Sequence, residues 1–302
     1  MNRTTITTGA AVATAAALGL SGCGGSDAVV VGGKDFTEQL VLCEMTVIAL
    51  EEADIPADNS CNLQGTVAAR EALLAGEIDL YWEYTGTGWI THLGNADPVQ
   101  DPQEQFDVVA EADLAENDIR WLEPYAPFNN TYALAANQAT IDETGITTIS
   151  QLAEANEAGE DIGICVESEF AVRNDGLPGL AETYGTSFAS EQVSELATGA
   201  IYEATAGQEC QFGEVFTTDG RIATLDLVTL EDDLAFFPNY NPAPNVRVDA
   251  LEANPEIADV LAPISEALTN DAITELNGRV DDGGETPDSV ARDWLESEGL
   301  IG

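Results

Sequence analysis

The chain has 302 residues, 44% of them hydrophobic, and 9 basic against 55 acidic side chains give it a formal charge of −46. That apolar content builds a substantial core and excludes a disordered chain. The negative field excludes nucleic acid and anionic lipid headgroups as partners.

The acid is spread along the sequence, in stretches such as EEADIPAD, EQFDVVAEADLAEND and ANEAGED. These are expected to be solvated helix faces and loops rather than an acidic binding patch. So much acid beside almost no lysine predicts adaptation to concentrated salt, because the Debye length at about 1 M is only roughly 3 Å.

Residues 1–23 have the character of a processing segment. Arg3 precedes the short apolar run AAVATAAALGL, too short to cross a bilayer, and the run ends at Leu20-Ser21-Gly22-Cys23. This is a lipobox pattern, in which the Cys23 thiol receives diacylglycerol before cleavage. A signal peptide with an incidental cysteine is the alternative. No later segment reaches 18 apolar residues, so an anchored but otherwise soluble protein outside the cell membrane is expected.

After the tether Gly24–Ser26, residues 28–32 predict a buried strand, and Thr37 to Glu52 a helix with Thr37 as its N-cap. A turn at Pro56–Ser60 is expected before a second extended piece. TVAAREALLAGE predicts a helix stopped at Gly76, and IDLYWEY a strand. Strands alternating with helices indicate an α/β fold with a largely parallel sheet. The pattern resumes through WLEPY and NNTYALAAN, then ISQLAEANEAGE, IGICV, a helix near Gly199–Ala206 and EVFTTDG. It closes with LAFFPNYNPAP and helices around Pro255–Leu268 and Ser289–Ser297. Two α/β lobes with crossing strands near Tyr132 and Phe237 suit this order.

Besides Cys23 there are four cysteines, Cys43, Cys61, Cys165 and Cys210. An even number in an exported protein favours disulfides, and four allow three connectivities. Cys43–Cys61 and Cys165–Cys210 are preferred, each joining nearby segments within one lobe; buried free thiols are the alternative. With no CxxC pair and with His92 as the sole histidine, no metal site is expected.

The segments VGGKDFTEQ, GTVAAREALLAGEIDLYWEYTGTGW, NNTYAL, FTTDGRI, LEDDLAFFPNY and LNGRVDDGGETPDSVARDWLESEGLI occur in order between residues 28 and 301. In these the chain resembles the substrate-binding proteins of osmoprotectant ABC importers, which take glycine betaine, proline betaine, carnitine or choline. The resemblance implies an α/β, two-lobed periplasmic-binding-protein fold (type II) with two hinge crossings and ligand in the cleft. Residues 28–132 plus 238–302 would form lobe 1 and residues 133–237 lobe 2. It implies a monomeric binding protein and no enzyme, needing no cofactor, tethered to the membrane by lipid and working with a permease and its ATPase subunits.

A quaternary ammonium ion donates no hydrogen bond, so it is recognised by shape and by aromatic faces, at about 0.5–2 kcal/mol per ring. By motif, Tyr84 of YTGT, Tyr132 of NTYA and Tyr240 of FFPNY match three cage positions of the family. Phe216, before TTDG, matches a fourth where tyrosine is usual; the ring face survives and the hydroxyl does not. For the ligand carboxylate the resemblance implies Lys34, Arg173 of FAVRNDG and Thr87. Lys34 is the only lysine in the chain, which suggests retention for a task. On this reading choline would leave two buried cations without an anion, so glycine betaine and close zwitterions rank above it.

Trp82 is expected mainly in the core, with a place behind the cage as the alternative, and Trp121 and Trp294 in the core. Asp219 and Gly220 suit a turn, and His92 is given no role. A hydrolase using Asp79 and Glu83 is the alternative from another class, although no GxSxG motif supports esterase chemistry.

Overall fold

The computed structural model describes residues 28–95 and 99–302, together with Met1. The expected processing segment, Cys23 included, lies outside them apart from Met1. Among the described residues, ten strands form two five-stranded sheets. They are β1 (Val29–Lys34), β2 (Ala57–Leu63), β3 (Leu80–Tyr84), β4 (Ile119–Trp121), β5 (Tyr132–Asn137), β6 (Ile164–Val166), β7 (Val193–Glu195), β8 (Phe212–Phe216), β9 (Leu227–Thr229) and β10 (Pro242–Arg247).

The first sheet has the order β2-β1-β3-β10-β4 and the second β7-β6-β8-β5-β9. The two share one plan. β1 runs parallel to β2 and β3, as β6 runs parallel to β7 and β8. In each sheet a single antiparallel strand is the one entered from a crossing: β5 in the second and β10 in the first. The expected α/β, two-lobed architecture with two crossings is therefore present.

Burial explains the central strands. Every residue of β3 (LYWEY) is buried and β1 is nearly so, as expected of strands covered by helices on both faces. Trp82 packs in the core, its indole N–H donating to Thr46 Oγ1 at 2.8 Å, and Trp121 and Trp294 are buried as well. Helices cover the first sheet at Thr37–Glu52 and Gly65–Ala75, the latter ending at Gly76 in the left-handed conformation (φ 72°).

Local expectations failed where tertiary partners took over. Thr37 is the first residue of its helix rather than the cap; its hydroxyl donates to Asp281 Oδ1 at 2.5 Å, and Phe36 occupies the cap position without a side-chain bond. Residues 57–60, expected in a turn, already belong to β2 because they pair with β1 from Val29 to Gly32. The helix Asn270–Asp281 had no place in the sequence reading.

The crossings are residues 122–131 and 230–241, and they are laced together. Tyr240 N donates to Asn129 Oδ1 at 2.7 Å, Asn130 N to Tyr240 O at 3.2 Å, and Thr131 Oγ1 to Pro238 O at 3.1 Å. Disulfides join Cys43 to Cys61 (Cα–Cα 6.1 Å) and Cys165 to Cys210 (Cα–Cα 5.8 Å). Among the described residues no helix is long and apolar enough to cross a membrane, and no three His, Cys, Asp or Glu side chains group to hold a metal ion.

Candidate ligand-binding site

A cavity of about 250 Å³ lies between the two sheets, and all seven residues singled out in the sequence line it: Lys34, Tyr84, Thr87, Tyr132, Arg173, Phe216 and Tyr240. Strand ends deliver them. Lys34 and Tyr84 close β1 and β3, while Tyr132 opens β5 directly opposite Phe216 at the end of β8. That pairing puts the two rings side by side, with centroids 5.2 Å apart.

The aromatic wall is longer than four rings. Tyr240 meets Tyr132 edge-on at 5.5 Å, and Phe36 stacks on Phe216 at 5.6 Å and on Tyr84 at 6.3 Å. Phe36 was missed, although it lies inside VGGKDFTEQ. Gly86 of YTGT allows the wall to close: a Cβ there would fall 2.7 Å from Tyr240 Cε1 and 2.8 Å from Asn239 O.

Both cations are already paired. Val31 of β1 pairs with Leu80 of β3, and three residues further along these parallel strands Lys34 meets Glu83, with Nζ 2.7 Å from Oε1. Glu83 is fully buried, and its Oε2 accepts from the Tyr81 hydroxyl at 2.8 Å and lies 2.8 Å from His92 Nε2. Burial alone would raise the Glu83 pKa, but Lys34 and His92 outweigh it and hold the carboxyl well below the usual range. His92, given no role from sequence, is thus part of this buried charge cluster. Asp79 is occupied elsewhere, its Oδ2 accepting from Val30 N at 2.8 Å, so Asp79 and Glu83 form no acid–base pair.

Arg173 forms a fork with Asp175, Nε to Oδ1 at 2.8 Å and Nη2 to Oδ2 at 2.5 Å, and Tyr240 donates to the same Oδ2 at 2.7 Å. Burial opposes the Asp175 charge, yet Arg173 lowers its pKa below the ordinary value. The remaining guanidinium nitrogen, Nη1, has Glu169 Oε2 at 3.7 Å. Glu169 Oε1 reaches across the cleft to accept from Thr66 N at 2.7 Å, in the first turn of the helix Gly65–Ala75.

This pairing removes the premise for ranking zwitterions over choline, since a ligand without a carboxylate would leave neither cation without an anion. Hydrogen-bonding capacity does remain: two N–H bonds of Lys34 and the Nη1 group of Arg173. Asp35, Glu167 and Glu169 also line the cavity, making its rim acidic.

Residues 27–297 match the family model described as the substrate-binding domain of ABC-type glycine betaine transport systems. The chain belongs to this family. It is 35% identical over 292 residues to a glycine-betaine-binding protein of Pseudomonas aeruginosa, spanning 95% of this chain and 93% of that one. It is 32% identical over 273 residues to an ergothioneine transport permease/ergothioneine binding protein of Helicobacter pylori, spanning 90% of this chain and 48% of the relative. Among solved structures, that of a glycine betaine/carnitine/choline ABC transporter superposes with a TM-score of 0.72 at 25% identity, covering 90% of this chain and 99% of that one. As a member of this family, the chain is a solute-binding protein of the ABC importer type and not an enzyme.

Proposed function

We propose that this chain captures glycine betaine or a closely related quaternary ammonium osmolyte outside the cell membrane and delivers it to the permease of an ABC importer. In this reading a lipid on Cys23 tethers a monomer whose acidic surface is suited to concentrated salt. The observation that carries the ligand class is the aromatic wall of Tyr84, Phe36, Phe216, Tyr132 and Tyr240 along one cavity between the lobes. A methylated cation finds there π faces that replace its hydration without asking it for a hydrogen bond. Arg173 Nη1, Lys34 Nζ and Thr87 Oγ1 are the donors offered to a ligand carboxylate.

Binding is coupled to closure. Tyr84, Lys34 and Thr87 belong to the first lobe and Arg173 and Phe216 to the second, so a ligand touching both stabilises the closed arrangement through contacts the open one lacks. The bond from Thr66 N to Glu169 Oε1 joins residues of the two lobes across the cleft. Choline is the second reading, favoured by the pairing of Lys34 with Glu83 and Arg173 with Asp175.

The test is thermal unfolding in molar salt with glycine betaine, proline betaine, carnitine, choline and ergothioneine, each against a non-methylated control. A saturable rise in Tm with the methylated ammonium compounds supports the proposal. A rise only with other solutes overturns it. For the anchor, Cys23→Ala should release the protein from the membrane fraction into the medium, and retention would refute lipidation at that cysteine.

A further inference from the structure

Glu38 is a buried carboxylate, 2% exposed, that the binding reading leaves unused. Four donors from four parts of the chain converge on it. Oε1 accepts from the Tyr84 hydroxyl at 2.7 Å and Asn130 Nδ2 at 2.8 Å, and Oε2 from the Thr218 hydroxyl at 2.6 Å and Asn277 Nδ2 at 3.1 Å. The directions of these bonds are fixed locally. Gln39 Nε2 donates to the Tyr84 oxygen at 3.2 Å, so the phenol proton points at Glu38, and Asn277 Nδ2 also donates to Thr218 O at 3.0 Å. Amide N–H groups can only donate, and each carboxylate oxygen has one. The constellation therefore suits an ionised carboxylate with its lone pairs filled.

What it lacks is a cation. Among the described residues no Lys, Arg or His comes within salt-bridge distance of Glu38. Lys34, which lies 5.2 Å from the Tyr84 ring centroid, is paired with Glu83, and Arg221, in the cleft beside Glu38, is held by Asp219 and Asp281. An uncompensated buried anion is costly, and burial raises the Glu38 pKa even against its four donors. Tyr84 and Asn130, two of those donors, line the ligand cavity.

We propose that Glu38 is the buried counter-charge of the ligand's quaternary ammonium group, acting through Tyr84 as a positioning and specificity residue rather than a ligand contact. Two effects combine. The bond fixes the Tyr84 ring at the cavity, and a phenol donating to a carboxylate gains electron density on its face, which strengthens its attraction for a cation. The ligand nitrogen, having no N–H, attracts the carboxylate through space without competing for its lone pairs. The proposal rests on the quaternary-ammonium reading and adds to it the source of discrimination between a cation and a neutral group of identical shape.

The experiment compares glycine betaine with 3,3-dimethylbutanoate, its isostere with carbon in place of nitrogen, in molar salt. Glu38→Gln is expected to lower the affinity ratio of betaine to isostere about tenfold, because it removes the charge and keeps the size. A merely structural defect lowers both affinities and leaves the ratio unchanged. Tyr84→Phe, which keeps the ring and cuts its bond to Glu38, should shift the ratio in the same direction, so the test survives misfolding of the first variant.

The same ratio should fall in the unaltered protein as the pH is lowered, since burial raises the Glu38 pKa and protonating Glu38 cancels its charge. Asp35, Glu167, Glu169 and Asp175 around the cavity, Glu83 beneath it and Asp219 and Asp281 beside Glu38 are the other carboxylates facing this region, so the decisive feature is a weaker pH dependence in Glu38→Gln. A ratio unchanged in both variants, with betaine still bound by the unaltered protein, overturns the role of Glu38 alone. No binding of any quaternary ammonium compound by the unaltered protein overturns the ligand reading and this role together.

Discussion

The pair Lys34–Glu83 separates two explanations for why the chain keeps a single lysine: a ligand contact or an internal ion pair. The side chains are 5% and 0% exposed and 2.7 Å apart. At an effective dielectric of 20 that distance corresponds to about 6 kcal/mol of attraction, from which the desolvation of both groups must be subtracted. Removing Lys34 alone leaves a buried Glu83 with His92 as its remaining basic neighbour, and removing Glu83 alone leaves Lys34 unpaired. Each of Lys34→Met and Glu83→Gln is therefore expected to cost about 3–5 kcal/mol. The double variant should lose much less than the sum, because neither partner is then left charged and buried. Urea unfolding in molar salt, run as a double-mutant cycle, measures this. Betaine and choline titrations on the double variant then isolate the ligand role, with a loss for betaine alone expected if Lys34 also serves the carboxylate. Additive destabilisation would refute the pairing argument, and equal losses for both ligands would refute the carboxylate assignment.

Three further outcomes follow from the same geometry. Tyr84→Ala, Tyr132→Ala and Phe36→Ala should each weaken betaine binding about tenfold or more, and a Phe36→Ala variant of unchanged affinity would remove that ring from the cage. Glu214 is buried on β8, its Oε1 has no partner, and burial pushes its pKa from 4.5 up to about 8. The folded state thus holds a proton that the unfolded state has released, so this group's contribution to stability falls as pH rises from about 4.5 to about 8; Glu214→Gln should gain about 3 kcal/mol relative to the unaltered protein on going from pH 4.5 to 7, and a pH-independent difference between the two would contradict the assignment. With a formal charge of −46, the Tm should fall on transfer from molar to millimolar salt, and a constant Tm would count against adaptation to salt.

Much of the lining of the candidate cavity was legible because its residues sit in local motifs. YTGT carries Tyr84 and Thr87 together with the glycine that admits the Tyr240 ring, and NTYA places Tyr132 at a strand start. The strands of β1 and β3 were visible as apolar runs for the same reason that they are central: both faces are covered. What escaped were relations across the fold. Lys34 and Glu83 are 49 residues apart and meet only because β1 and β3 are parallel neighbours in one register. His92 reaches Glu83 through a helical turn at Gly88–His92, a separation of nine residues that no regular element advertises. Glu38 likewise carries no local signal, since its four donors come from residues 84, 130, 218 and 277. The premise for placing choline below betaine failed for this reason, since two cations were counted without the anions that the fold sets beside them.

Calorimetric titration of the protein in molar salt, with glycine betaine followed by dimethylglycine, sarcosine and glycine, tests the central claim most directly. Successive loss of methyl groups strips the ligand of the surface that the aromatic wall covers, so affinity should fall stepwise along the series and vanish at glycine. Equal affinity for all four, or saturable heat with none, would contradict the account.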